Sequence, residues 1–123
     1  MTAPNHPHTI TIAKNPNRVK VMFNGTVIAD TKRALILREG PLPPAHYIPR
    51  EDTRMSLLQR TTHSTHCPFK GDASYFTVSA GGKTAENAVW TYETPLPDVA
   101  DIKNYLAFYP DKMDAIQEIS PTS

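Results

Sequence analysis

Twelve prolines are distributed along this chain of 123 residues, and they constrain its fold more than any other feature of the sequence. Proline lacks a backbone donor and collides with the preceding turn of a helix, so it interrupts long helices. The chain is therefore expected to form short strands and turns, with one or two short helices. At this length the strands are expected to enclose one core in a single domain.

Alternation of apolar and polar residues, the period of a half-buried β-strand, recurs between the prolines. It is clear in Arg18–Phe23, which is followed directly by Asn24-Gly25. This pair favours a two-residue type I′ hairpin, because both positions tolerate a positive φ. In the expected register Val19 faces Asp30, so the carboxylate lies at the end of an apolar stripe. Asp30 then either caps its strand or serves a polar pocket.

Similar segments complete a mainly β fold. Further strands are expected at Ile10–Ile12, Arg33–Glu39, His46–Ile48, Ser74–Ala80, Ala88–Glu93 and Tyr105–Tyr109. Short helices are expected over Arg50–Gln59 and Val99–Asn104, which begin after suitable N-terminal residues. The ordered domain is expected at 10–116, between a flexible lead-in at 1–9 and a frayed end at 117–123.

The charge balance and the cysteine content limit the classes of partner and compartment. Thirteen basic and twelve acidic residues leave a formal charge of +1, which gives no support for a nucleic-acid or membrane surface. No run approaches the roughly 20 apolar residues of a membrane span, and the first residues lack the features of a secretory signal. Cys67 is the single cysteine, so no intrachain disulfide forms. A cytoplasmic protein is expected.

Reactive side chains are concentrated between Thr61 and Tyr75. His63, His66 and Cys67 offer three donors, but a structural zinc site needs four and the sequence has no second Cys/His cluster. We therefore expect no metal and no cofactor.

Cys67 itself has two interpretations. Pro68 holds it in extended geometry, which predicts a rigid loop ahead of the strand that begins at Ser74. The thiol is a nucleophile if a histidine or Lys70 approaches it; otherwise it is an inert thiol that packs beside Phe69.

Lys70 also has two interpretations. Together with Arg50, Arg60 and Thr65 it could hold an anion, although the sequence has no Gly-rich phosphate loop. The plainer alternative is a solvated lysine. The aromatic residues are equally ambiguous, because strand periodicity suits a core as well as a ligand cavity. Both roles are compatible if the pocket is one end of the core. These aromatic residues are Tyr47, Tyr75, Trp90, Tyr92, Phe108 and Tyr109.

Five motifs in fixed order carry a family resemblance. They are Ile28–Thr31, Tyr47–Asp52, Thr65–Tyr75, Trp90–Tyr92 and Ala107–Pro110. Together they resemble the family catalogued as domain of unknown function 427, also labelled nucleotidyltransferase-like. The resemblance spans about Arg18–Met113, and its most specific part is the C-P-x-K-G-x-A-x-Y core at Cys67–Tyr75.

The resemblance implies a β-tent fold, in which antiparallel sheets pack at an angle around a pocket. Several β-tent relatives hold a structural zinc with two pairs of cysteines, and a chain with one cysteine cannot build that site. The family label implies nucleotidyl transfer, but the acidic residues of this chain are scattered along the sequence rather than clustered.

Two hypotheses follow. The first is a small-molecule-binding β domain for a nucleotide-like or anionic ligand, with transferase-type activity. Its candidate catalytic residues are Cys67, Lys70 and Asp30, and its candidate ligand-binding residues are Tyr47, Arg50, Asp52, Thr65, Tyr75, Trp90 and Tyr92. The second is a non-catalytic interaction module that forms a homodimer, in which Cys67 is buried and Lys70 pairs with a carboxylate.

Overall fold

The computed structural model describes residues 9–121, which form ten strands and four short 3₁₀ turns. The strands are β1 Ile10–Lys14, β2 Arg18–Phe23, β3 Thr26–Thr31, β4 Leu35–Glu39, β5 Ala45–Tyr47, β6 Leu58–Cys67, β7 Gly71–Ala80, β8 Lys83–Tyr92, β9 Leu106–Phe108 and β10 Ala115–Ile119. The 3₁₀ turns are Arg50–Asp52, Met55–Leu57, Pro97–Ile102 and Pro110–Lys112.

The strands form three antiparallel sheets, in the orders β1-β4-β5, β10-β2-β3 and β6-β7-β8-β9. The expectation of a mainly β fold with antiparallel sheets is confirmed. The two expected helices are 3₁₀ turns, and Arg50–Gln59 is split into two of them before β6 begins at Leu58. No helix within residues 9–121 is long and apolar enough to cross a membrane.

The β2–β3 hairpin turns at Asn24-Gly25 with φ values of 49° and 74°, as the sequence predicts. Its register is different from the prediction, because a β-bulge lies between the pairs Met22–Val27 and Val21–Ala29. The extra residue, Ile28, shifts the rest of β3 by one position.

The shift corrects the expected position of Asp30. This residue pairs with Lys20, whereas Val19 pairs with Thr31. Successive residues of a strand point to opposite faces, so the one-residue shift moves the carboxylate away from the apolar stripe. Asp30 is therefore a surface residue that pairs with Arg18.

Strand β6 corrects a second prediction. The segment ahead of Ser74 is expected as a loop, but Leu58–Cys67 is a ten-residue edge strand paired with β7. The ladder is irregular between Arg60 and Ser64. Most of β6 is exposed, so neither of its faces requires the apolar alternation that marks a half-buried strand.

The C-terminal boundary also differs from the expected one. Strand β10 pairs with β2 as far as Ile119, opposite Arg18, so paired structure extends past 116 into the segment expected to fray. The lead-in at 1–9 lies outside the described residues except for Thr9.

Two apolar clusters form the core. One is centred on β2, β3, β7 and β8, and includes Val21, Ile28 and Val89. The other includes Tyr47, Tyr92 and Ile102. Sheets are joined where Ile48 and Leu106 exchange two backbone hydrogen bonds, each of 2.8 Å. We call this pair of hydrogen bonds the seam.

Candidate functional site

A cavity of about 490 Å³ lies beside the seam. Its walls come from β2, β4, β5, β8, β9 and β10, and from the proline-rich loop 41–44 that joins β4 to β5. The residues that line it are Val21, Leu37, Glu39, Leu42, Pro43, Pro44, Ala45, His46, Tyr47, Ile48, Lys70, Trp90, Tyr92, Phe108, Tyr109, Pro110 and Ile116. We call this cavity the aromatic pocket.

Ring contacts order one wall of the aromatic pocket. Trp90 meets Tyr47 edge to face, with ring centroids 6.3 Å apart, and its Nε1 donates a 3.0 Å hydrogen bond to the Tyr47 hydroxyl. Trp90 also contacts Tyr109 in a tilted arrangement, with ring centroids 4.5 Å apart. Such paired rings favour a fixed geometry, so this wall of the pocket is held in one arrangement.

A buried ion pair lies in the same pocket. Lys70 Nζ donates to Glu39 Oε1 at 2.5 Å, and each side chain is only 11% exposed. Glu39 ends β4, and Lys70 lies in the turn between β6 and β7. The pair joins residues that are 31 positions apart. Its presence agrees with the carboxylate partner that the interaction-module hypothesis expects for Lys70.

The turn that presents Lys70 depends on Gly71. This glycine has a φ of +114°, and a Cβ at its position would lie 3.3 Å from the backbone oxygen of Thr94. Close approach lets the Leu96 amide donate to the Lys70 carbonyl at 3.0 Å. Glycine is required here for both conformation and space, and it fixes the position from which the lysine reaches Glu39.

Two buried phenols add hydroxyl groups to the pocket. Burial raises the pKa of both Tyr47 and Tyr92 well above the ordinary value, so both are neutral near pH 7. Tyr92 is 5% exposed, and its hydroxyl has no hydrogen-bond partner among residues 9–121. Burial and a hydrogen bond with Tyr75 raise the pKa of Tyr109 to about 12. The phenols therefore act as hydrogen-bond donors and acceptors rather than as charges.

Four of the predicted site residues, Tyr47, Lys70, Trp90 and Tyr92, line the aromatic pocket. The other six lie elsewhere.

Three of these six, Cys67, Thr65 and Tyr75, lie on β6 and β7 outside the pocket lining. Cys67 is half-buried at the end of β6 and packs against the second apolar cluster rather than lining the cavity. Thr65 and Tyr75 share a 2.9 Å hydrogen bond between their hydroxyls. Their contact ties β6 to β7, so its evident role is structural.

Arg50 is held outside the pocket. It donates to the Asn104 carbonyl at 2.7 Å and to Glu93 at 3.2 Å. Arg60 binds the same carboxylate. Partial burial acts to raise the pKa of Glu93, but the hydrogen bonds from Arg60 and Arg50 hold it below the usual range. Since Arg50 is paired there, it does not combine with Lys70 into an anion site.

Asp30 and Asp52 line a shallow depression on the surface. Arg18 binds Asp30 through two hydrogen bonds of 2.8 and 2.6 Å and lowers the pKa of that carboxyl. Asp52 accepts from Thr31 at 2.7 Å and from Arg33 at 3.2 Å. Both carboxylates are thus occupied by partners within the protein, and neither lines the aromatic pocket.

Sequence reasoning missed Glu39 and His46 as pocket residues. A signal for Glu39 was present, because strand periodicity places it on the same face as Leu35 and Leu37. His46 adjoins Tyr47 and lies 3.6 Å from Glu118, a contact that no local pattern predicts. Within residues 9–121 no group of three or more His, Cys, Asp or Glu side chains could hold a metal ion.

Comparison with models of protein families gives a match. The model of a family described as a domain of unknown function (DUF427) matches residues 11–119, which confirms the resemblance drawn from the sequence motifs. No curated protein matches the chain.

Proposed function

This chain belongs to the DUF427 family, and we propose that its function is to bind a small planar molecule in the aromatic pocket. The observation that carries the proposal is the combination of aromatic rings in mutual contact with a buried ion pair in one cavity. Ligand sites commonly combine an apolar lining with a few polar groups in this way.

The dimensions support a ligand of one to three rings. The volume of about 490 Å³ is within the range of small-molecule sites. Trp90 and Tyr109 offer aromatic surface, while Lys70 and Glu39 offer groups that would fix the orientation of a ligand. A nucleoside is of suitable size and shape, so the nucleotide-like ligand expected from the sequence remains part of the proposal.

Binding is proposed as the primary function, ahead of transferase chemistry. The candidate nucleophile Cys67 lies outside the pocket lining, and Arg50 is paired with Glu93. Among the residues that line the pocket, Lys70 is the Lys or Arg side chain that a phosphate chain could contact, and it already pairs with Glu39. A nucleobase or a similar planar ring system therefore complements the pocket better than a phosphate chain does.

A thermal-shift screen tests this function with nucleosides, nucleotides and planar aromatic metabolites. A ligand present at 100 times its Kd stabilises the native state by about 2.7 kcal/mol, which raises Tm by several degrees. Trp90 is the single tryptophan of the chain, so its fluorescence gives an independent readout from within the pocket.

Two variants make the screen specific. Ala45→Phe places a ring in the pocket lining and is expected to abolish the shift, whereas Asp30→Asn alters the surface depression and is expected to preserve it. If no compound changes either Tm or fluorescence, the binding function is wrong. A dimer detected by sedimentation in that case would favour the interaction-module hypothesis.

A further inference from the structure

We propose that the aromatic pocket selects ligands whose polar group is uncharged and carries both a donor and an acceptor, as an amide does. This inference rests on the proposed binding function and adds the ligand class. The inference depends on the pairing of Lys70 with Glu39, and not on Lys70 alone.

The charges in the pocket cancel. Glu39 and Lys70 are the acidic and basic side chains of the lining apart from His46, and their 2.5 Å contact pairs them directly. His46 has its own carboxylate neighbour, Glu118. A ligand anion that approaches Lys70 therefore also meets the Glu39 carboxylate, and a ligand cation that approaches Glu39 meets Lys70. Repulsion between like charges is strong where water is excluded.

The hydrogen-bonding groups complement an uncharged ligand. Lys70 has three N–H donors, and one is used on Glu39. Tyr92 has an unpartnered hydroxyl among the described residues, and Tyr47 accepts from Trp90 while keeping its own proton to donate. Glu39 Oε2 has no hydrogen bond within residues 9–121 and is an available acceptor. Together these groups match a carbonyl oxygen beside an N–H.

The test compares three probes that share one ring system. At pH 7, 2-naphthamide is neutral, 2-naphthoate is an anion and 2-naphthamidine is a cation. Isothermal titration measures Kd for each with the intact protein. We expect the amide to bind at least about tenfold more tightly than both charged probes, since a mismatched buried charge costs more than one lost hydrogen bond.

The outcomes separate the two proposals. Equal or tighter binding of either charged probe overturns the selection for uncharged ligands and leaves the binding function standing. If none of the three probes binds, and the screen of nucleosides and aromatic metabolites also fails, the binding function itself is overturned.

A charge variant tests the cause of the selectivity. Glu39→Gln removes the negative charge and keeps a hydrogen-bonding side chain of similar shape, so 2-naphthoate is expected to gain about tenfold relative to 2-naphthamide. The matched control is Glu93→Gln, which removes a carboxylate paired with Arg50 outside the pocket and leaves the ratio unchanged. An unchanged ratio in a folded Glu39→Gln variant contradicts the inference; if that variant does not fold, the wild-type comparison of the three probes decides.

Discussion

Two oppositely charged side chains meet inside a largely apolar cavity, and each compensates the buried charge of the other. The side chains of Lys70 and Glu39 are each only 11% exposed. Removal of one partner from a buried pair leaves an uncompensated charge, whereas replacement of both partners is tolerated far better. The pair is therefore a sensitive point for the stability of the fold.

We expect Lys70→Met to lower the free energy of unfolding by about 3 kcal/mol, because it leaves Glu39 buried without a partner. The double variant Lys70→Met/Glu39→Leu should recover most of this loss. Urea denaturation at pH 7 measures both changes. A loss below about 1 kcal/mol for the single variant would mean that water solvates the carboxylate as well as the lysine does.

The two buried phenols of the pocket should respond differently to loss of their hydroxyls. Tyr47→Phe removes the acceptor of the Trp90 Nε1 hydrogen bond, so we expect a cost of about 1 kcal/mol. Tyr92→Phe removes a hydroxyl that has no partner in residues 9–121, and we expect a change within about 0.5 kcal/mol. Thermal unfolding of both variants checks the contrast; similar costs would contradict it.

At the scale of strands and turns, the sequence predicted what local chemistry determines. Asn24-Gly25 specified its turn, and alternation located most strands. The bulge at Ile28 was not predictable, because two consecutive buried residues are accommodated by packing against other strands. The same one-residue shift misplaced Asp30, since strand faces alternate with period two.

Strand β6 shows a second limit. Its threonines favour a strand, but its polar composition resembles a loop, and only pairing with β7 decides between the two. The site was predicted in part for a similar reason. Tyr47, Trp90 and Tyr92 are predicted to share a pocket because they are aromatic residues in segments with strand periodicity, whereas Glu39 is brought to Lys70 across 31 positions by the fold alone.

Two neighbouring glycines in the β7–β8 turn provide a test of local packing. Gly81 and Gly82 both have positive φ, at +61° and +82°, which costs an alanine about 1 kcal/mol. A Cβ on Gly81 would also lie 2.5 Å from the Asn24 Nδ2 atom, which donates to the Ala80 carbonyl. We therefore expect Gly81→Ala to cost about 2 kcal/mol and Gly82→Ala about 1 kcal/mol in chemical denaturation. Equal costs would show that Asn24 moves freely.

The last strand, β10, is held at its end by Glu118. Hydrogen bonds from Asn17 and Asn15 hold the pKa of this carboxyl below its usual 4.5. A group with a lowered folded-state pKa stabilises the protein above its unfolded-state pKa and loses that contribution as the pH falls through the folded-state value.

We expect Glu118→Gln to lower stability by up to about 1 kcal/mol at pH 7. The difference in unfolding free energy between this variant and the wild type should become smaller below about pH 4.5. Melting curves from pH 3 to pH 7 measure this, with Glu86→Gln as the control, since the Glu86 carboxylate has no hydrogen bond among the described residues. A difference that stays constant with pH would contradict the assignment.

At the scale of the whole molecule, the aromatic pocket is a property of several sheets together. Its lining comes from strands of all three sheets, and the seam between Ile48 and Leu106 lies at its edge. A ligand that enters the pocket therefore contacts elements that no single hairpin contains. The proposed ligand, if it binds only the folded chain, would stabilise all three sheets together.

The seam has a consequence for the timescale on which the pocket can open. The amides of Ile48 and Leu106 are buried and each donates to the other residue's carbonyl at 2.8 Å. Their protons can exchange with deuterium only when the sheets separate, so we expect exchange at the rate of global unfolding. Amides between Arg60 and Ser64, where the ladder is interrupted, should exchange faster. Faster exchange at the seam than at the buried β7–β8 ladder would instead reveal a protein that opens its pocket while the rest stays folded.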